Sequence, residues 1–259
     1  MILKDKVALI TGAGAGIGEA IVTAMAEAGA HIVSADIDKD AAQNAADKAA
    51  KYQVRSLALE CDVGNVDEID KMVELTVEEF GRLDIIVNNA GVTRRAHIMD
   101  LTEEDWDRIH RVNAKGVFFC LQRAARVMIE QGNGCIINIA SIAGRGYPGA
   151  SNAAYAASKG AVIALTKMAS QQLGPHNINV NAICPGVTLT PLGDRNRVIR
   201  AREQGVSVEQ ALKNAIKPIP IGRANEPEDI AAMAVFLASA GARNITGQSY
   251  NIDGGLVPS

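Results

Sequence analysis

Aromatic side chains are scarce in this 259-residue chain, at 3% of the total. A core with so few rings must be filled by aliphatic and small side chains, and the sequence is rich in alanine and glycine. Helices are therefore expected to pack close against a sheet. Charge of one sign is also lacking: 26 basic and 29 acidic residues leave a net charge of −3. That excludes the basic footprint that binds nucleic acid or an anionic membrane surface. No apolar run approaches the roughly 20 residues that cross a bilayer. The opening residues Met1–Lys6 lead straight into a strand-like run, without a signal-peptide pattern. The four histidines, His31, His97, His110 and His176, are scattered without ligand spacing, so no metal site is expected. The four cysteines, Cys61, Cys120, Cys135 and Cys184, form no Cys-x-x-Cys pair and sit in or beside apolar stretches. They read as buried free thiols in a reducing compartment, which implies a cytoplasmic protein.

What is present is a steady alternation. Short β-branched runs at Val7–Thr11, His31–Asp36, Val54–Cys61, Leu83–Asn88, Gly134–Ala140, Ile178–Cys184 and Ser249–Ile252 read as strands. Helical stretches lie between them, at about 17–29, 39–51, 65–80, 102–130, 153–173 and 227–239. Strands that are apolar throughout suit a parallel sheet covered on both faces. The alternation implies right-handed crossovers and a single-domain α/β doubly wound parallel sheet of about seven strands, with helices on both faces. Residues 1–259 read as one domain, because no linker or repeat divides them. One insertion breaks the rhythm, from about 187 to 225. It contains a helical stretch over Arg195–Ala215 and ends in Pro218-Ile-Pro220-Ile-Gly222. A connection of this length inside a compact domain is expected to be a substrate lid.

Polar and glycine residues collect at the C-terminal ends of the strands, where open α/β sheets bind ligands. The first strand is followed by Thr11-Gly12-Ala-Gly14-Ala-Gly16-Ile17-Gly18, which fits G-x-x-x-G-x-G. Small residues there let the backbone approach a pyrophosphate at the N-terminus of the next helix. The second strand ends at Asp36. A carboxylate there accepts hydrogen bonds from the adenosine ribose of NAD and repels the 2′-phosphate of NADP. Like charges about 4 Å apart cost roughly 1 kcal/mol in water and about 4 kcal/mol at an effective dielectric of 20. No basic residue stands in the glycine turn or at Ile37 to offset this, so NAD is the expected cofactor. Asp62-Val63 follows the third strand and suits an adenine. Asn88-Asn89-Ala90-Gly91 follows the fourth.

Tyr155 and Lys159 stand at i and i+4 in Ser151-Asn-Ala-Ala-Tyr155-Ala-Ala-Ser-Lys159, so they share one helix face. A cation beside a phenol favours the phenolate, which suits a proton exchanger near neutral pH. Arg195, Arg197, Arg200 and Arg202 in the insertion, with Arg94-Arg95, could clamp an anion. A solvated basic face beside Asp194 and Glu203 is the simpler reading, and it is the expectation.

Together these motifs resemble the short-chain dehydrogenase/reductase family along nearly the whole chain. The matches are Thr11-Gly-x-x-x-Gly16-Ile17-Gly18, Asp62-Val63, Asn88-Asn89-Ala90-Gly91, Asn113, Ser141, Tyr155-x-x-x-Lys159, Pro185-Gly186 and Asn251-Ile-Asp-Gly-Gly255. The resemblance implies a Rossmann-type fold and reversible hydride transfer between NAD(H) and a secondary alcohol or ketone. It implies that Tyr155 is the general acid/base and that Ser141 holds the reacting oxygen. Lys159 would hold the nicotinamide ribose and lower the Tyr155 pKa. Asn113 would keep a helix bend and a water-linked proton relay. Pro185, Gly186, Val187, Thr188 and Thr190 would lie under the nicotinamide, with Thr188 departing from the branched aliphatic usual in the family. A homotetramer is implied as well. Ile142, Arg145, Tyr147, Ser151 and Asn152 are expected to line the substrate pocket. Their mix of groups suits a small polyol, hydroxy ketone or hydroxy acid. A 3-oxoacyl-thioester reductase and a non-catalytic dinucleotide-binding regulator are the alternatives.

Overall fold

β1 (Val7–Thr11), β2 (His31–Asp36), β3 (Ser56–Glu60), β4 (Ile85–Asn88), β5 (Gly134–Ile139), β6 (Ile178–Pro185) and β7 (Ser249–Ile252) form one sheet. Its order is β3-β2-β1-β4-β5-β6-β7, and every neighbouring pair is parallel. The structure is a computed structural model that describes residues 1–149 and 151–258. Ile10 of β1 stands opposite Ser34 of β2 and Val87 of β4, so the three strands end together at Thr11, Asp36 and Asn88. Between β1 and β4 the direction of winding reverses. Such a switch point opens a crevice at the C-terminal edge of the sheet.

The strands are buried on both faces because alternate residues serve two cores. Ala8, Ile10, Ile85, Val87 and Ile137 face α1 (Gly16–Glu27) and α9 (Pro227–Ala238), with Ile21, Met25, Ile230 and Ala234. Val7, Leu9, Ile86 and Ile136 face α3 (Val66–Phe80) and α5 (Val117–Gln131), with Ile69, Met72, Leu121 and Met128. Small residues set the layer spacing. α2 (Lys39–Ala50) buries only alanines, Ala42, Ala45, Ala46 and Ala49. The edge strand β3 is shorter than the run Val54–Cys61 and only partly buried, since it has a partner on one side alone.

Two helices differ from the sequence expectation. The stretch expected as one helix over 102–130 is α4 (Glu103–His110), a π turn (Arg111–Gly116) and then α5. Asn113 lies buried in that wide turn and bonds the backbone of Val92 with both ends of its amide. Such π turns occur often at functional sites. The helical stretch expected over Arg195–Ala215 is two helices, α7 (Pro191–Gln204) and α8 (Val208–Ile216). Gly205, at φ +63°, ends α7 in the left-handed conformation. Ser207 caps α8 by accepting from Gln210 N at 3.1 Å. α7 starts before Arg195 because Thr190 caps it and Pro191 suits its first turn. The segment closes on itself at its base. Asn225 N donates to Val187 O at 2.8 Å and Leu189 N to Asn225 O at 2.9 Å.

Candidate active site

A cleft of about 560 Å³ runs along the C-terminal edge of the sheet. Gly12, Gly16 and Ile17 line one end. Gly18 lies beneath it, where helix α1 meets the turn. A Cβ on Gly18 would sit 2.0 Å from the Gly12 carbonyl oxygen, so no other residue fits. Gly16 has φ +58°, and a Cβ there would stand 3.2 Å from Thr190 Cγ2. The turn is fastened to β4 by Asn89, whose Nδ2 donates to the carbonyls of Thr11 and Gly12 at 2.9 Å each. Thr11 Oγ1 accepts from Asn89 N and Ala90 N at 3.1 Å.

Asp36 lines the cleft where β2 ends. Its Oδ2 accepts from Gly14 N at 2.9 Å and its Oδ1 from Asp38 N at 3.1 Å, which fixes the carboxylate at the rim. Ile37 beside it is 66% exposed. Asp62 and Val63 continue the wall. Burial pushes the Asp62 pKa up, but hydrogen bonds from Arg111 Nη1 at 2.7 Å and Gly64 N at 2.8 Å outweigh it and hold the carboxyl low. Asn89, Ala90 and Gly91 cross the middle, and Pro185, Gly186, Val187, Thr188 and Thr190 form the opposite wall. Thr188 Oγ1 donates back to Gly186 O at 3.2 Å, and Thr190 Oγ1 accepts from Gly193 N at 3.0 Å. A bare turn at a helix N-terminus and polar groups at the ends of β2 and β4 fit a nicotinamide dinucleotide.

Ser141, Tyr155 and Lys159 line the other part of the cleft. Ser141 follows β5 and accepts from Ala143 N at 3.1 Å, which fixes its hydroxyl at the start of a short turn. Tyr155 and Lys159 sit in the first two turns of α6 (Ala153–Leu173). Asn152 caps that helix by accepting from Tyr155 N at 2.7 Å. Lys159 is 3% exposed and its Nζ donates to Ile139 O at 2.7 Å. Burial lowers its pKa to about 8. Asn113 stands behind the cleft wall, not in it. A Cβ on Gly91 would lie 3.5 Å from Asn113 Oδ1 and 3.6 Å from Lys159 Nζ, so the two groups flank the same glycine.

Several expectations change here. The phenol of Tyr155 is raised by burial, against a lowering hydrogen bond from Ser141, and Lys159 is not among the groups that shift it. The ammonium lies 5.9 Å from the Tyr155 ring centroid and is turned to a carbonyl. Arg145 does not line the cleft. It donates to Asn251 Oδ1 at 2.6 Å and to Ser249 O, tying the turn after β5 to β7. Asn152 is spent on its cap and on the carbonyl of Arg94. The arginines are not merely a solvated face, since Arg95, Arg195, Arg197 and Arg200 all line the cleft. Thr93 was not legible as a site residue. It lines the cleft and shares a 2.7 Å hydroxyl–hydroxyl hydrogen bond with Ser151. Leu192, Ala211, Leu212 and Ala215 add an apolar wall from α7 and α8, and only the spacing of the last three hinted at it.

A family model described as Enoyl-(Acyl carrier protein) reductase matches residues 12–257. The chain is 40% identical to the 3-oxoacyl-[acyl-carrier-protein] reductase FabG of Thermotoga maritima, over 99% of this chain and 100% of that protein. It is 42% identical to the galactitol 2-dehydrogenase of Agrobacterium fabrum, over 98% of each. A crystal structure of NAD+-bound xylitol dehydrogenase superimposes with a TM-score of 0.93 at 33% identity, over 98% of this chain and 100% of that one. The chain belongs to the short-chain dehydrogenase/reductase family. It is an oxidoreductase on a nicotinamide-dinucleotide-binding fold.

Proposed function

We propose that this protein is an NAD(H)-preferring dehydrogenase that interconverts a small secondary alcohol and its ketone. The observation that carries the cofactor choice is Asp36. Its carboxylate lines the cleft at the end of β2, held by Gly14, next to an aliphatic Ile37. A 2′-phosphate there would meet like charge with no guanidinium to receive it. The polyol dehydrogenases among the relatives support the same substrate class.

When bound, the nicotinamide accepts or supplies the hydride. Everything else falls to the chain. Tyr155 takes the proton of the substrate hydroxyl in oxidation and returns it in reduction. Ser141 donates a hydrogen bond to the same oxygen and steadies charge that develops there. Lys159 holds the nicotinamide ribose. Its cation favours the phenolate once it is turned from Ile139 toward the ribose. Asn113 keeps the π turn open and links Lys159 to solvent through water. Gly12, Gly16 and Ile17 receive the pyrophosphate, Gly18 lets the turn pack closely beneath it, and Asp62 and Val63 receive the adenine. Asn89, Ala90, Gly91, Pro185, Gly186, Val187, Thr188 and Thr190 enclose the nicotinamide half. Residues 187–225 act as the lid, hinged at the pairing of Val187 with Asn225. Four free buried thiols suit a cytoplasmic setting.

Tyr155→Phe tests the assignment. It is expected to lower turnover by about 10²- to 10⁴-fold and to leave NADH binding, followed by fluorescence, within a few fold. Full activity in the Phe variant would remove Tyr155 from the chemistry. A second reading, a 3-oxoacyl-thioester reductase, is favoured by the full-length match to the Thermotoga relative. It requires turnover of an acyl-thioester ketone above that of any small alcohol or ketone.

A further inference from the structure

Both signs of charge line the cleft. Among the described lining residues the carboxylates are Asp36 and Asp62, both at the ends of β2 and β3. The same lining carries four arginines, Arg95, Arg195, Arg197 and Arg200, in a chain whose net charge is −3. Two of these arginines are explained by their own helix. Arg197 donates to Asp194 at 2.5 Å, and Arg195, exposed, donates to the Pro191 carbonyl. Arg95 and Arg200 are different. Both are half-buried, and they come from opposite walls, Arg95 from the segment after β4 and Arg200 from α7. Arg95 pairs with Glu203 at 2.7 Å. Arg200 donates to the carbonyl of Gly149, and among the described residues it makes no ion pair.

Burial and the charge of Arg95 lower the Arg200 pKa more than Tyr147 and Glu203 raise it, so Arg95, Glu203 and Arg200 stand close together. Glu203 pairs with Arg95 and reaches Arg200 only through its charge, so among the described residues no carboxylate is hydrogen-bonded to Arg200. One carbonyl engages one of the five N–H donors on Arg200. A planar guanidinium with donors to spare matches the paired oxygens of a carboxylate, sulfonate or phosphate. The site also lies beside the chemistry. Gly149 packs against the ring of Tyr147, and Ser151 begins the turn that leads to Tyr155. Tyr147, Gly149 and Ser151 all line the same cleft as the two arginines.

We propose that the substrate is a short hydroxy or keto compound bearing an anionic group, and that Arg200, with Arg95 beside it, binds that group while the reacting carbon lies at Tyr155. This rests on the dehydrogenase reading above and narrows it from neutral polyols to anions. Arg200 also joins the lid to the Gly149 segment, so the charged end of the substrate would draw both walls together.

The test uses the full chain with NAD and four probes: 3-hydroxybutyrate, 2-hydroxypropane-1-sulfonate, 2-hydroxypropyl phosphate and neutral 2-butanol. One anion is expected to exceed 2-butanol in kcat/KM by about ten-fold or more. Arg200→Gln should raise KM for that anion by about ten- to a hundred-fold with kcat changed far less. Arg200→Lys should fall between, because it keeps charge and loses the planar fork. The same probes are titrated calorimetrically into the enzyme–NADH complex. Turnover of 2-butanol equal to or above every anion would overturn the anion site and leave the dehydrogenase reading standing. Anion binding that weakens in Arg200→Gln, with no turnover of any probe, would support the site and count against the dehydrogenase reading. Neither binding nor turnover would sink both. If Arg200→Gln does not fold, the preference of the unmodified chain for an anion over 2-butanol decides.

Discussion

Lys159 shows how much one residue carries in this site. Its ammonium is almost wholly buried against a backbone carbonyl, and burial holds its pKa at about 8, below the 10.5 of a free lysine. Between those two values the unfolded chain binds more protons than the folded one, so this residue's contribution to stability rises with pH across that window. Comparison with Lys159→Met isolates the effect, because the other titrating groups are common to both chains. The unfolding free energy of the unmodified chain relative to the variant is expected to grow by about 2–3 kcal/mol between pH 7.5 and pH 10. Urea melts at the two pH values measure it, and a constant difference would mean that the lysine is not held in a desolvating site. Tyr155 and Lys159 were legible in the sequence because their relation is local: four residues on a helix fix a shared face. The state of their protons was not. It depends on Ile139 and Ser141, which the fold brings in from β5 and the turn after it.

At the scale of elements, α6 carries Tyr155 and Lys159, to which the proposed mechanism gives the proton transfer. Its first turn is set by the Asn152 side chain on Tyr155 N, and the same amide reaches across to the loop after β4. Asn152→Ala removes both anchors. It should lower unfolding free energy by about 1 kcal/mol and reduce kcat more than it weakens NADH binding. An unchanged urea midpoint would show that the cap is dispensable. Strands and most helices were readable because apolar runs and glycine punctuation are local signals. The breaks were harder. The π turn at Asn113 arises from bonds to Val92, a contact between elements that no periodicity reveals. The division of the 187–225 segment at Gly205 was visible as a glycine, but the run of helix formers on either side concealed it. The backbone pairing of Val187 with Asn225 joins the two ends of that segment, a contact that the sequence does not display.

At the scale of the molecule, the parallel sheet gathers the candidate site residues along one edge. Strand order 3-2-1-4-5-6-7 sets Asp36 on one side of the switch point and Ser141 on the other, with the glycine turn between. The candidate dinucleotide site was almost entirely legible because each motif follows a strand. The substrate end was not, because Arg95, Thr93, Arg200 and the apolar wall of α8 converge only in three dimensions. In the proposed reaction Asp36 chooses the cofactor for a small alcohol. The decisive measurement is steady-state turnover of polyols, hydroxy acids and acyl-thioester ketones with NAD(H) and NADP(H), for the unmodified chain and Asp36→Ala. The account predicts kcat/KM at least about tenfold higher with NAD(H) on a small alcohol or ketone, and a narrowed ratio in the variant. Turnover confined to NADP(H) with an acyl-thioester ketone would contradict it.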